Sequence, residues 1–176
     1  MDGYRGTAVV AALRLAPMLF VRPGELRRAR WTQFNLEAGT WDFISSKTKQ
    51  PHVVPLSTQA LTILKDLHQV TGRDEYAFPG ARSSKRPMSE NAVLAALRAL
   101  GVSKEELVPH AFRAIARTFL HETLGFRPDI VELQLAHNVR DALGRSYNRT
   151  THLPERRCMM QAWSDHLHAL KTRALP

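Results

Sequence analysis

The sequence predicts a mainly α-helical protein carrying one small three-stranded antiparallel β-sheet, an α+β arrangement. Three observations lead there. Apolar residues recur at three- and four-residue spacing over most of the 176 residues. Between Trp31 and Leu56 that period drops to two, with turn residues interrupting the stretch. The composition, 44% hydrophobic and 23% charged, is that of an ordinary globular chain rather than a disordered one. Its length suits a single domain spanning 1–176.

Taken in order, the segment Thr7–Phe20 places Val9, Val10, Leu13 and Met18 at helical spacing and reads as a buried helix. Pro17, which lacks an N–H, is expected to kink or interrupt it. Pro23 suits a first helical position, and a short helix follows from Glu25 to Arg30. WTQFNL, TWDFI and HVVPL then read as three strands, with turns at Ala38–Gly39 and Ser45–Gln50, and Pro55 closes the last. Ser57 is an N-cap for a helix through Val70 that stops at Gly72. Residues 73–88, rich in Gly, Pro, Ser and Arg, read as a loop. Ser89 opens a helix ending at Gly101. Pro109–Leu124 is strongly amphipathic, with Phe112, Ile115, Phe119 and Leu120 expected inward and Gly125 as its stop. Short helices over Pro128–Ala136 and Ala142–Asn148 precede a last one over Pro154–Thr172, whose Met159, Trp163, Leu167 and Leu170 form a core-like stripe.

The charge narrows the function. Lys and Arg number 25 against 16 Asp and Glu, a formal net charge of +9, and 19 of the 25 are arginine. Arginine's planar fork grips phosphate with two donors, so a polyanion is the favoured partner, nucleic acid before membrane. The basic residues are spread along the whole chain, which argues for a folded basic surface rather than a tail. No apolar run approaches the roughly 20 residues of a membrane span, and MDGYRGTAVV lacks a secretory layout. The single cysteine, Cys158, excludes an intramolecular disulfide and a cysteine zinc cage. A cytoplasmic protein is expected.

Several polar residues stand out, each with an ordinary explanation beside it. Arg22 interrupts the apolar run LFVRPGEL, where a salt bridge to Glu25 would account for it. Lys47 lies in the polar link between two strands, as solvated hairpin lysines do. His110 and Arg113, three apart in HAFR, share one helical face and can address one ligand, or His110 can be a satisfied core residue. His137 ends the run LQLAH, where a C-capping histidine is equally expected. Tyr147 lies among arginines in GRSYNRT.

In this order, however, the residues resemble the tyrosine recombinases, the integrase family, over nearly the whole chain. The likeness is greatest to those encoded by prophages and genomic islands. It is carried by VRPGEL (21–26), PHVVPLS (51–57), RPMSENA (86–92), HAFRAIARTFL (110–120) and LAHNVRDALGRSYNRT (135–150). The resemblance implies the DNA breaking-rejoining catalytic fold, with Arg22 and Arg113 binding the scissile phosphate and Glu25 orienting the pocket. It further implies Lys47 as the hairpin lysine, with Lys49 its rival, His110 and His137 as the pocket histidines, and Tyr147 as the nucleophile. Counting back from VPL favours Lys47. Two features depart from the family. Phe20 and Val21 stand where a small glycine often precedes the first arginine, and the N-terminal core-binding and arm-binding domains of full-length members are not expected in these residues.

The implied reaction is attack of the Tyr147 oxygen on a DNA phosphodiester, leaving a 3′-phosphotyrosyl bond that a second strand can reverse without ATP. No cofactor is expected. Metal catalysis is not expected either, because few carboxylates adjoin the basic motifs and His166 and His168 fall on different helix faces; His121 and Glu122 complete no ligand set. The partners implied are double-stranded DNA at attachment sites and other protomers in a tetrameric synapse, for which the last helix is a candidate docking element. Arg27, Arg28, Arg30, Arg82, Lys85 and Arg86 are expected to touch phosphates rather than bases. A DNA-binding regulator without catalysis, or a topoisomerase-like relaxing enzyme, are the alternatives.

Overall fold

Seven helices and two small sheets make up the described part of the computed structural model, which covers residues 2–103, 105–137 and 152–174. Helix α1 (Asp2–Leu19) runs through the middle and packs against five later helices. Its inward face is Ala8, Ala11, Ala12, Leu15 and Leu19, whereas Val10 is exposed and Val9, Leu13 and Met18 are half-buried. The large aliphatics named from spacing are therefore not the inward stripe. Alanine lets neighbouring helices approach closely, so the small residues take the crowded side. Pro17 does not stop the helix, which runs two residues further. The Pro17 carbonyl, in the last turn where no downstream N–H follows, accepts the Trp163 indole N–H at 2.8 Å.

The three-stranded sheet is antiparallel, as expected. Strands β1 (Phe34–Asn35), β2 (Thr40–Ile44) and β3 (Pro51–Pro55) pair antiparallel in sequence order, with Trp41 opposite Phe34 on one side and Val54 on the other. Period-two alternation puts Trp41 and Phe43 on one face, and Phe34, Trp41 and Phe43 stack in a row with centroids 5.2 and 4.5 Å apart. Gly39, at φ 65°, makes the β1–β2 turn. Trp31–Gln33 forms a 3₁₀ turn rather than the start of the first strand. Helix α2 (Pro23–Arg27) starts at the proline, two residues before the expected Glu25.

Helix α3 (Thr58–Thr71) is capped by Ser57, whose hydroxyl accepts the Ala60 N–H at 3.2 Å. The stretch expected to be a loop over 73–88 instead folds into a hairpin, β4 (Pro79–Gly80) and β5 (Ser83–Pro87). Its alternation is hidden because β5 is a polar, exposed strand with no apolar face to signal it. Helix α4 is Ala92–Ala99, beginning after Ser89, and Gly101 (φ 85°) ends it as expected.

Helix α5 (Ala111–Thr118) carries the clearest correction. Its buried side is Arg113, Ala116 and, just beyond, Leu120, while Ile115 is 39% and Phe119 37% exposed and Phe112 is half-buried. Hydrophobic spacing pointed to a face rotated from the true one, because the helix turns a charged residue inward. One widened turn, Phe119–Thr123, then leads to Gly125 at φ 70°. Helix α6 (Pro128–Gln134) begins at its proline, and α7 (Leu153–Ala174) is the last. In α7 Met159 and Trp163 are core, Leu167 packs on it, and Leu170 is exposed. The helix expected over Ala142–Asn148 lies outside the described residues.

Phe20 resolves the missing glycine. It sits at φ 36°, the left-handed geometry that follows many helices and favours glycine, with its N–H bonded to the Ala16 carbonyl at 3.0 Å. Its ring is fully buried, edge-on to Trp163 at 6.4 Å. Left-handed geometry costs a side-chain-bearing residue about 1–2 kcal/mol, while burying a phenylalanine ring returns about 1.5–3 kcal/mol. Phe20→Ala keeps the strain and loses the ring, whereas Phe20→Gly loses the ring and the strain together. Chemical denaturation is therefore expected to find the glycine variant more stable than the alanine variant by about 1 kcal/mol, with both below wild type.

Candidate functional site

The junction between α1 and α2 meets the ends of β2 and α6 at a cluster of charge. Arg22 occupies the N-cap of α2 with extended backbone, and its N–H bonds the Glu25 carboxylate at 3.2 Å, one half of a capping box. The Arg22 guanidinium Nη1 donates to both Glu25 Oε1 and Ser45 Oγ, each at 3.2 Å. Glu25 is buried and works as a hub. The same Oε1 also accepts from Ser45 Oγ at 3.3 Å and from the Ser46 N–H and hydroxyl at 3.0 Å each. The carboxylate thus ties the first arginine to the root of the β2–β3 hairpin, beyond which Lys47 and Lys49 stand exposed. Lys49 has a left-handed backbone, φ 54°, and lines a cleft of about 410 Å³ with Glu25, Arg28, Trp41 and Ser46.

Arg113 enters the same region from α5 and is 6% exposed. Its Nη1 donates to the Phe20 carbonyl at 2.9 Å and its Nη2 to the Leu135 carbonyl at 2.7 Å. Nη2 also lies 3.3 Å from His137 Nε2. Burial lowers the Arg113 pKa to about 10, and the nearby Arg22 charge pushes the same way, while Glu25 and Glu132 oppose it. The group stays cationic at neutral pH. Two arginine charges thus share one region with the Glu25 and Glu132 carboxylates.

His137 follows Ala136, a left-handed residue at φ 54°, which turns the chain off the end of α6. Its Nδ1 meets Glu132 Oε2 at 2.5 Å, and Glu132 Oε1 meets Arg117 Nε at the same distance. A carboxylate on one ring nitrogen orients the imidazole and leaves the other toward Arg113. His110 is exposed at the N-cap of α5, one turn before Arg113. Thus Arg22, Glu25, Arg113 and His137 are brought together. Lys47 sits on the exposed hairpin turn with no contact to them, and Tyr147 lies outside the described residues.

Of the residues expected on DNA, Arg82, Lys85 and Arg86 project from the β4–β5 hairpin and are exposed. Arg28 is exposed beside the Lys49 cleft, its Nε bonded to the Gly24 carbonyl at 2.8 Å. Arg30 pairs with Glu75 at 2.9 Å and lies over the Tyr76 ring. Arg27 is engaged inside the protein: it bonds the Met88 carbonyl and Glu90, both at 2.9 Å, and clamps the hairpin to α2. Glu132, Ser45 and Ser46 were not singled out by sequence. Only Glu132 leaves a trace there, a carboxylate five residues before a histidine.

Burial on its own would raise the Glu132 pKa, but the hydrogen bonds from His137 and Arg117 outweigh it and hold the carboxyl below its ordinary value. A carboxylate with a depressed folded pKa contributes stability above its unfolded pKa and loses it as pH falls through the folded one. Glu132→Gln is expected to cost about 1 kcal/mol at pH 7. Urea unfolding as a function of pH should show that gap closing through the acid range, below the ordinary carboxylate pKa.

Comparison with known proteins places this geometry. The chain matches the model described as the phage integrase family over residues 6–152. It is 39% identical over 184 residues to the integrase of Enterobacteria phage P4, covering 95% of this chain and 42% of that protein. It is 39% identical over 150 residues to the prophage integrase IntA of Escherichia coli, covering 84% and 36%. The chain spans less than half the length of these curated relatives. Among solved structures, the XerA recombinase aligns at a TM-score of 0.58 with 14% identity, over 100% of this chain and 63% of that one. The lambda integrase catalytic core aligns at 0.55 with 21% identity, over 84% and 95%. The fold is that of these catalytic domains. No described helix is long and apolar enough to cross a membrane.

Proposed function

The chain belongs to the phage integrase family, and we propose that it is the catalytic domain of a site-specific tyrosine recombinase, which cleaves and rejoins double-stranded DNA to integrate and excise a mobile element. The observation that carries this reading is the buried Arg113 fork lying 3.3 Å from His137 and within electrostatic reach of Arg22. A lambda integrase dimer bound to a core site shares the fold, and this chain takes the same class of partner, with further protomers assembling on the DNA.

In this mechanism Arg22 and Arg113 bind the non-bridging oxygens of the scissile phosphate, where negative charge grows in the transition state. Neither needs to move far. Glu25 holds Arg22, and two main-chain carbonyls hold Arg113, so little reorganisation accompanies the reaction. The Tyr147 oxygen forms a bond to phosphorus as the bond from phosphorus to the 5′ oxygen breaks. The tyrosine proton passes to His110, because a phenol of pKa about 10 does not ionise at neutral pH unaided. His137, oriented by Glu132, hydrogen-bonds the phosphate. Lys47, carried on the exposed hairpin, moves in to protonate the departing 5′ oxygen. Reversal by a 5′-hydroxyl of another strand restores the backbone and frees the tyrosine.

Incubation with a nicked duplex carrying the attachment core tests this on a denaturing gel. Wild type is expected to leave a covalent protein–DNA adduct and Tyr147→Phe none, with DNA affinity changed less than about twofold. An adduct persisting in Tyr147→Phe removes the nucleophile, and no adduct from wild type favours a binding protein without catalysis.

The hairpin arginines and lysine give a separate expectation. Each phosphate contact contributes about 0.9 to the slope of log affinity against log salt. Replacing Arg82, Lys85 and Arg86 by alanine is expected to flatten that slope by about 2–3. Arg27→Ala is expected to lower thermal stability instead, with the salt slope nearly unchanged.

A further inference from the structure

Two consecutive residues at the end of α6 are each gripped by a buried arginine from a different helix. Arg113 takes the Leu135 carbonyl. Arg156, from the first turn of α7, takes Gln134: its Nε and Nη2 reach Gln134 Oε1 at 3.0 and 2.7 Å. Arg156 Nη2 also donates to the Val53 carbonyl of β3. Arg156 is 0% and Gln134 1% exposed.

This clamp is costly for a purely structural device. Burial lowers the Arg156 pKa to about 10, the mark of a cation held away from water. An aliphatic side chain of similar volume would fill the space at less cost. What a guanidinium adds is direction: its planar fork fixes two acceptors on two elements relative to one another. Gln134 Nε2 is buried with no acceptor among the described residues, so Arg156 is the partner that orients the amide. Two positions on, Ala136 is buried in left-handed geometry, a strained turn that the flanking structure has to hold, and it aims His137.

We propose that Arg156 is a positioning residue for the pocket: through Gln134 it sets the end of α6 from which His137 reaches Arg113, so that seating of α7 and assembly of the site are coupled. This rests on the assignment of His137 to the pocket given above. The coupling runs through contiguous buried contacts, α7 to Gln134 to the Leu135–Ala136 turn to His137. A partner that draws α7 from its seat disorganises the phosphate site in the same step.

The test uses the whole 176-residue chain with Arg156→Met, Arg156→Lys, Gln134→Leu and His137→Ala. The readouts are single-turnover adduct formation at saturating nicked duplex, DNA affinity, melting temperature, and the NMR resonances of the His137 ring. Arg156→Met is expected to slow cleavage about tenfold or more, to leave affinity within about twofold, and to shift the His137 resonances. Arg156→Lys, which keeps the charge but reaches one acceptor at a time, falls between. Gln134→Leu reproduces the Arg156→Met defect, and the double variant is no slower than either single one. Should Arg156→Met not fold, Gln134→Leu decides. Unmoved His137 resonances with wild-type cleavage per folded molecule overturn the proposal. A wild-type rate in His137→Ala instead overturns the assignment of His137, and the resonance shift in Arg156→Met then still reports the coupling.

Discussion

A guanidinium buried at Arg113 has to find acceptors inside the protein, and the fold is arranged to supply them. They come from the Phe20 carbonyl just past α1 and the Leu135 carbonyl just past α6. The last carbonyls of a helix lack an intrahelical donor and carry the negative end of its dipole. Arg113 thereby serves two helix ends at once, and they in turn compensate its charge without a carboxylate on it. Because the acceptors are main-chain atoms of rigid elements, the guanidinium is fixed as firmly as the helices are packed. Trp163 does the same for α1 through the Pro17 carbonyl. The lower end of α1 is thus satisfied by side chains arriving from α5 and α7.

Charge at the site is balanced rather than cancelled. Glu25 is the acceptor for Arg22 and for both hairpin serines, which makes it a structural joint as much as a counter-ion. Glu132 binds His137 and Arg117 from the outer side. Neither carboxylate hydrogen-bonds Arg113, whose guanidinium is held by main-chain carbonyls instead. The more exposed basic residues divide by role. Those of the β4–β5 hairpin face solvent, while Arg27 uses its fork to hold that hairpin in place.

The elements and the site differ in how much of each could be read in advance. Helix ends were marked by Ser57, Pro23, Gly101 and Gly125 and the first strand turn by Gly39, all of which act where local chemistry places them. Which side of a helix turns inward was less legible. In α1 the alanines outcompete the valines for the crowded interface, and in α5 Arg113 is drawn inward by carbonyls from distant parts of the chain. Hydrophobic spacing ranks side chains by their own dislike of water and carries no information about acceptors waiting opposite. The polar β5 strand escaped for the related reason that it has no buried face to betray it.

What the sequence alone determined is the order of the helices and of the three-stranded sheet, the family, and the identities of the two arginines, the histidine and the acid that gather at the site, since those follow from residue types at set spacings. What only the tertiary structure decided is the company each keeps: Glu25 as the hub of a hairpin, Glu132 behind His137, Arg27 turned to structural use, Arg156 clamped on Gln134, and Phe20 bearing a glycine's backbone for the sake of its ring. Each of these rests on a contact between residues whose elements meet only after packing. A buried polar group's role is set by the partners packing delivers, and spacing along one chain does not contain them.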